Sequence, residues 1–229
     1  MAITTPSNVT ASTTSGTTLT SGGSLTVASG ESVIVGVVLN NTTQTVSSVT
    51  FNSGAQAATY RDRQDQSTTT RVEWWEIQSP SAGTGTVTVV VSGASTICFI
   101  AAAINGAAAG AGFRDAITKA AGNSATPSAT ITSEVNDLVY AFVGNRNTNS
   151  TWVPDGAPVA EVAVVTSATG TSAMRISLLT ETGAASTSPS GVYGGARDWA
   201  VVGANVNIAA SASNTPINAL RPSMNGGFI

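Results

Sequence analysis

The chain has 229 residues, enough for one large all-β domain or two small ones, and only 9% of them are charged. An ordinary soluble domain carries roughly 25%, so Ser, Thr, Asn and Gln must supply the surface polarity. A net charge of -3 without a basic run argues against nucleic acid or an anionic membrane as partner, zero His removes the commonest general base and zinc ligand, and one Cys permits no intrachain disulfide.

Residues 1–17 are rich in Ser and Thr without periodicity and read as an N-terminal arm or loop. Their first six residues have no positive or apolar region of a secretory signal, so synthesis in a host cytoplasm is expected. Thr18–Val27 reads as a hairpin turning at Gly22-Gly23. Ser32–Leu39 is a continuous β-branched run, the pattern of a central strand covered on both faces. Val46–Phe51 is a short strand ending in a turn at 52–54. Thr69–Gln78 is a strand whose adjacent Trp74 and Trp75 must point to opposite faces, one into the core and the other toward water or a neighbour. Thr86–Val91 alternates, and Ile97–Ile104 reads as a further strand. The Ala/Gly stretch 101–112 suits a loop or tight turn, 113–121 a short helix ended by Gly122, and 123–128 a linker containing Pro127.

Three more strands follow, at 136–143, 159–165 and around Met174, Ile176 and Leu178. Residues 183–195 read as a long Gly/Ser-rich loop, 197–208 as the last strand, and 211–229 as an extended C-terminal arm. About ten strands with turn signals at sandwich spacing, and no long amphipathic helix, predict an antiparallel β-sandwich that is jelly-roll-like. Residues 18–210 form its single domain, because each half of a split near 123–128 would have a thin core.

The order of motifs carries a resemblance. SSVTFN (47–52) is followed by RVEWWEIQSPSAGTGTVTVVVSG (71–93), FRDAITKAAGNSATPSATITS (113–133), NDLVYAFVG (136–144), WVPDGAP (152–158) and WAVVGANVNIAAS (199–211). Across about residues 31–211 the chain resembles a recurrent family of β-sandwich proteins encoded in tailed bacteriophages and in bacterial genomes. The resemblance implies a jelly-roll-like virion component without catalytic residues. Its concrete form is a capsid decoration (cement) protein that binds the major capsid protein and copies of itself. The analogy implies a homotrimer and a location on the virion. The alternative is a receptor- or glycan-binding module of a tail fibre or cell surface, with Trp74, Trp75, Trp152 and Tyr193 stacking on sugar rings.

No catalytic constellation emerges. Cys98 lies among apolar residues that raise a thiol pKa, and no His is present to pair with it. Lys119 is the only Lys and has no S-x-x-K pattern. Phosphate loops are absent. Glu73 and Glu76, three apart on a strand, point to opposite faces and cannot form one acid/base pair directly. A glycoside hydrolase is therefore the least favoured class. Asp62, Asp65, Asp137 and Asp155 show no calcium-loop spacing, so no metal and no cofactor is assigned. The most informative segment is 61–76, which holds seven charged residues beside Tyr60, Trp74 and Trp75. Arg and aromatic side chains are enriched at binding hot spots, so Tyr60, Arg61, Arg63, Arg71, Trp74 and Trp75 form a candidate interface. The competing reading is one core Trp, one half-exposed Trp and a hydrated, self-neutralising loop around Asp62 and Asp65.

Overall fold

A computed structural model describes residues 4–52, 54–105, 117–135, 137–148, 151–155, 158–170 and 172–206. In chain order the strands are β1 (Thr4–Thr20), β2 (Leu25–Val27), β3 (Ser32–Leu39), β4 (Val46–Phe51), β5 (Gln56–Ala57), β6 (Thr59–Gln66), β7 (Thr70–Ile77), β8 (Gly83–Gly85) and β9 (Val87–Asn105). The second half adds β10 (Thr118–Ser124), β11 (Ile131–Thr132), β12 (Leu138–Arg146), β13 (Trp152–Pro154), β14 (Ala160–Thr166), β15 (Met174–Thr182), β16 (Ser186–Thr187), β17 (Gly191–Tyr193) and β18 (Arg197–Val206). No helix occurs among the described residues.

The chain is an all-β, antiparallel sandwich. One sheet runs β5-β4-β9-β3-β7-β6 with β1 added to β9, and the other runs β10-β18-β12-β15-β14. The first half of the chain builds one sheet and the second half builds the other. A jelly roll would instead pass successive strands back and forth between the layers. Among the described residues three short ribbons flank the sheets: β2 with β8, β11 with β16, and β13 with β17.

Three apolar layers hold these parts together. The first lies between the two sheets, where Ile34, Val38, Val72, Trp74 and Ile100 meet Tyr140, Phe142, Ile176 and Val202. Glycine permits a close approach here. A Cβ on Gly36 would fall 2.2 Å from the Phe142 ring, so Phe142 occupies the space that any other residue of β3 would fill. The second layer lies on the opposite face of the first sheet, where Val33, Val35, Val37 and Trp75 pack against Val49, Phe51, Val87 and Val89. The third covers the outer face of the second sheet and includes Val139, Ala141, Trp152, Tyr193 and Trp199. Because β3 is covered on both faces, all eight of its residues are buried, as the unbroken β-branched run predicted.

Several sequence expectations are corrected. Residues 4–17 are not an arm: they belong to β1, which runs along β9 from Thr4↔Asn105 to Thr20↔Thr88. Threonine suits strands, and a half-exposed edge strand needs no strict alternation. The Tyr140 hydroxyl lies 2.9 Å from Thr5 Oγ1 and ties the start of β1 to the other sheet. The 18–27 hairpin does not form, because Leu25–Val27 pairs with Gly83–Gly85. The strands expected at 86–91 and 97–104 are one long β9, irregular in its pairing to β1 around Gly16 and Ser95. Asp62 and Asp65 lie in strand β6 and not in a loop. Residues 118–121 are strand and not helix, and Gly122 continues that strand opposite Trp199. Residues 183–195 contain β16 and β17. Residues 113–116 of the expected helix, residues 106–112 and the C-terminal arm 211–229 lie outside the described residues.

Candidate functional site

The charged segment 61–76 folds as the β6–β7 hairpin, whose turn places Ser67 at φ 51°. Pairing across this hairpin brings opposite charges together. Asp65 lies opposite Arg71, and the Arg71 guanidinium donates to both Asp65 carboxylate oxygens, from Nε at 2.7 Å and Nη2 at 2.9 Å. Its Nη1 also reaches the Gln44 carbonyl at 2.5 Å and its Nη2 the Thr42 carbonyl at 2.7 Å. Asp65 holds the guanidinium charged beyond its ordinary range. Arg61 Nη1 lies 2.6 Å from Glu76 Oε1, which Gln78 Nε2 also approaches at 2.7 Å. Glu73 is buried, accepting from the Val46 N–H at 3.2 Å and from Trp75 Nε1 at 3.1 Å. Burial pushes its carboxyl above the ordinary carboxylate range despite those two donors.

Three of the six candidate interface residues are therefore interior. Trp74 is fully buried between the sheets, its ring edge-on to Phe142 at 5.0 Å. Trp75 does point to the opposite face, as strand parity requires, yet it too is buried, because the second apolar layer covers that face. Arg71 is buried with its donors used internally. Tyr60 remains 43% exposed and packs edge-on to Trp75 at 5.4 Å, and Arg63 is exposed with Nε 4.0 Å from Asp65. Burial, followed by the nearby Asp62 and Glu73 charges, pushes the Tyr60 phenol up. Arg61 is half-buried. What survives at the surface is a small Tyr60–Arg63 patch. Asp62 reaches out of the sheet to Lys119 Nζ at 2.9 Å and closes that side of the sandwich against β10.

Other candidates for chemistry are equally interior. Cys98 is buried between the sheets, burial pushes its thiol up to about 12, and its Sγ donates to the Met174 carbonyl at 3.4 Å. Glu73 and Glu76 stand on opposite faces of β7, with no shared space for a reacting group between them. Among the described residues no three His, Cys, Asp or Glu side chains gather as a metal site.

The outer face of the second sheet offers a different environment. Trp152 lies in β13, paired with Tyr193 of β17. The two rings pack at 4.6 Å, and Trp152 Nε1 donates to Glu161 at 2.9 Å. Gly191 lies under the indole, where an added Cβ would come within 2.3 Å of it. Tyr193 is buried, which pushes its phenol up, so it presents no ring to a ligand. Trp199 is buried on the same face, with Nε1 donating to Ser124 Oγ at 2.9 Å. Between this ribbon and the 166–169 segment lies a cleft of about 450 Å³, lined by Thr148, Thr151, Trp152, Thr166, Thr169 and Arg175. Arg175 was visible in the sequence only as the polar alternate to Met174 and Ile176. Its guanidinium makes no hydrogen bond or salt bridge among the described residues, and its Nε is buried without a partner.

No family model, no curated protein and no solved structure matches the chain.

Proposed function

We propose that the chain is a non-enzymatic structural subunit of a tailed bacteriophage virion, a capsid decoration protein that binds the outer face of the major capsid protein and stabilises it through subunit contacts. The motif order across residues 31–211 motivates the phage context. The observation that carries a structural role is β1. This 17-residue strand forms a ladder with β9 alone, so its outer backbone edge has no strand partner among the described residues. An unpaired edge is a ready template for a strand from a neighbouring chain. Its side chains are mostly Ser and Thr, so docking against it desolvates few ions. The charged groups of the 61–76 segment, by contrast, are mostly engaged within the fold, which leaves little for acid–base or ionic chemistry at that surface.

Copy number in purified particles tests the reading. A decoration protein is present in stoichiometric proportion to the major capsid protein. Absence from particles, or a few copies each, overturns it. Light scattering on the isolated protein tests the expected homotrimer, for which the mass is three times that of the chain.

A further inference from the structure

We infer that the cleft between β13 and the 166–169 segment binds a carboxylate-bearing sugar, with Arg175 as the anchor for its carboxylate. Arg175 carries five N–H donors in a fixed fork that matches a carboxylate two-to-two. In this fold the guanidinium bonds none of the described residues. The contrast with Arg71 is informative, because Arg71 places four hydrogen bonds on Asp65, Gln44 and Thr42 within the fold. A carboxylate entering the cleft would meet the end of a guanidinium whose donors the fold itself leaves unused.

The rest of the lining selects for a polyhydroxylated ligand. Thr151, Thr166 and Thr169 present hydroxyls that make no hydrogen bond within the described residues. Each can donate one hydrogen bond and accept two, which suits the ring hydroxyls of a sugar. Trp152 adds an apolar side chain to the lining. Its ring packs on Tyr193 and Gly191 and is only 8% exposed, so it serves as a fixed wall and not as a stacking platform. The volume of about 450 Å³ lies within the range of small-ligand sites.

The cleft is also preformed. The Thr148 N–H donates to the Gly170 carbonyl at 3.2 Å, the Thr148 hydroxyl donates to the Ala168 carbonyl at 2.9 Å, and the Gly194 N–H donates to the Thr151 carbonyl at 3.1 Å. Glu161 is the carboxylate tied to this region, and it is engaged by Trp152 Nε1. Binding therefore requires little ordering of the protein.

The test titrates the full chain with tetragalacturonate, with neutral maltotetraose and with inorganic sulfate, read by calorimetry and by changes in Trp fluorescence. Tetragalacturonate is expected to bind, and maltotetraose to bind at least about tenfold more weakly, the effect of one lost charge-assisted pair. Arg175→Gln should reduce the affinity for tetragalacturonate by a similar factor, while Arg175→Lys should recover part of it. Thr169→Val, which leaves the charge in place, should weaken both sugars. No binding of tetragalacturonate overturns the proposal, as does equal binding of the two sugars or binding unchanged in Arg175→Gln. Binding of sulfate as tight as that of the sugar reduces the site to a bare anion site and also overturns it. Should Arg175→Gln fail to fold, unaltered sugar binding in Thr169→Val overturns it.

Discussion

Arg71 and Arg175 sit on neighbouring layers of the same sandwich and have opposite fates. Arg71 is 2% exposed on β7 and its guanidinium bonds Asp65, Thr42 and Gln44. Arg175, on β15, borders an open cleft, and its guanidinium bonds none of the described residues. The first lies in the segment richest in charge, the second in a stretch that holds hardly any. Local charge density is thus a poor guide to where a protein meets a partner. Where opposite charges are dense, strand pairing lets them neutralise one another, and the surface gains nothing. Where charge is sparse, an isolated guanidinium keeps its donors free.

The largest effects should come from the charge-rich hairpin, because its members also carry the packing between layers. Trp74→Ala removes a fully buried ring from between the sheets and should cost about 3–5 kcal/mol in urea unfolding, the usual range for a large aromatic deleted from a core. Arg71→Ala should cost about 3 kcal/mol, the low end for breaking a buried pair, because the Asp65 side chain is itself a third exposed. It frees two loop carbonyls and one carboxylate at once. If Arg175→Gln destabilised the fold as much as Arg71→Ala, the contrast between the two regions would be lost.

Glu73 sharpens the same contrast through pH. Its folded-state pKa is raised above the ordinary value of 4.5 by burial. A carboxyl with a raised folded pKa binds its proton more tightly in the folded state. Its contribution to stability is therefore fully present below the unfolded value, and it is lost as pH rises through the folded one. Glu73→Gln cannot ionise. Its stability relative to the parent should be least favourable at low pH and should improve as pH rises above 4.5. Paired urea titrations across that window measure the trend, and a difference that stays flat with pH would show that Glu73 ionises as freely in the fold as in the unfolded chain.

Much of the fold was legible in the sequence, and the failures have physical causes. The buried run at Ser32–Leu39 and the opposed directions of Trp74 and Trp75 follow from strand geometry alone. The depth of Trp75 does not, because the apolar layer it joins is built from strands distant in sequence, with Val49 on β4 and Val89 on β9 among its members. Ser and Thr at positions 4–17 carried no periodicity because β1 is a half-exposed edge. The alternation of Arg61, Asp62, Arg63 and Asp65 matched a hydrated loop. Asp65 meets Arg71 only once the hairpin turn has formed, and sign alternation cannot separate neutralisation by water from neutralisation across a ladder. For the cleft, the sequence supplied Trp152 and missed Arg175. An unsatisfied guanidinium is defined by what fails to surround it, and that depends on the whole fold.

The smallest effects belong to Lys119 and Arg175. Lys119 and Asp62 form a salt bridge with side chains 44% and 31% exposed. Lys119→Ala should therefore cost no more than about 1 kcal/mol, and less as salt is added. Arg175→Gln should change unfolding by less than about 0.5 kcal/mol, because the guanidinium gives up no internal bond. Truncation to Gln even removes an orphaned buried Nε, so a slight gain in stability is the expected sign. The two variants would then look alike by unfolding and differ in ligand response. Lys119 already has its carboxylate, so Lys119→Ala should leave tetragalacturonate binding unchanged, whereas Arg175→Gln should weaken it. A loss of binding in Lys119→Ala as large as in Arg175→Gln would mean that general charge, and not an open guanidinium, draws the ligand.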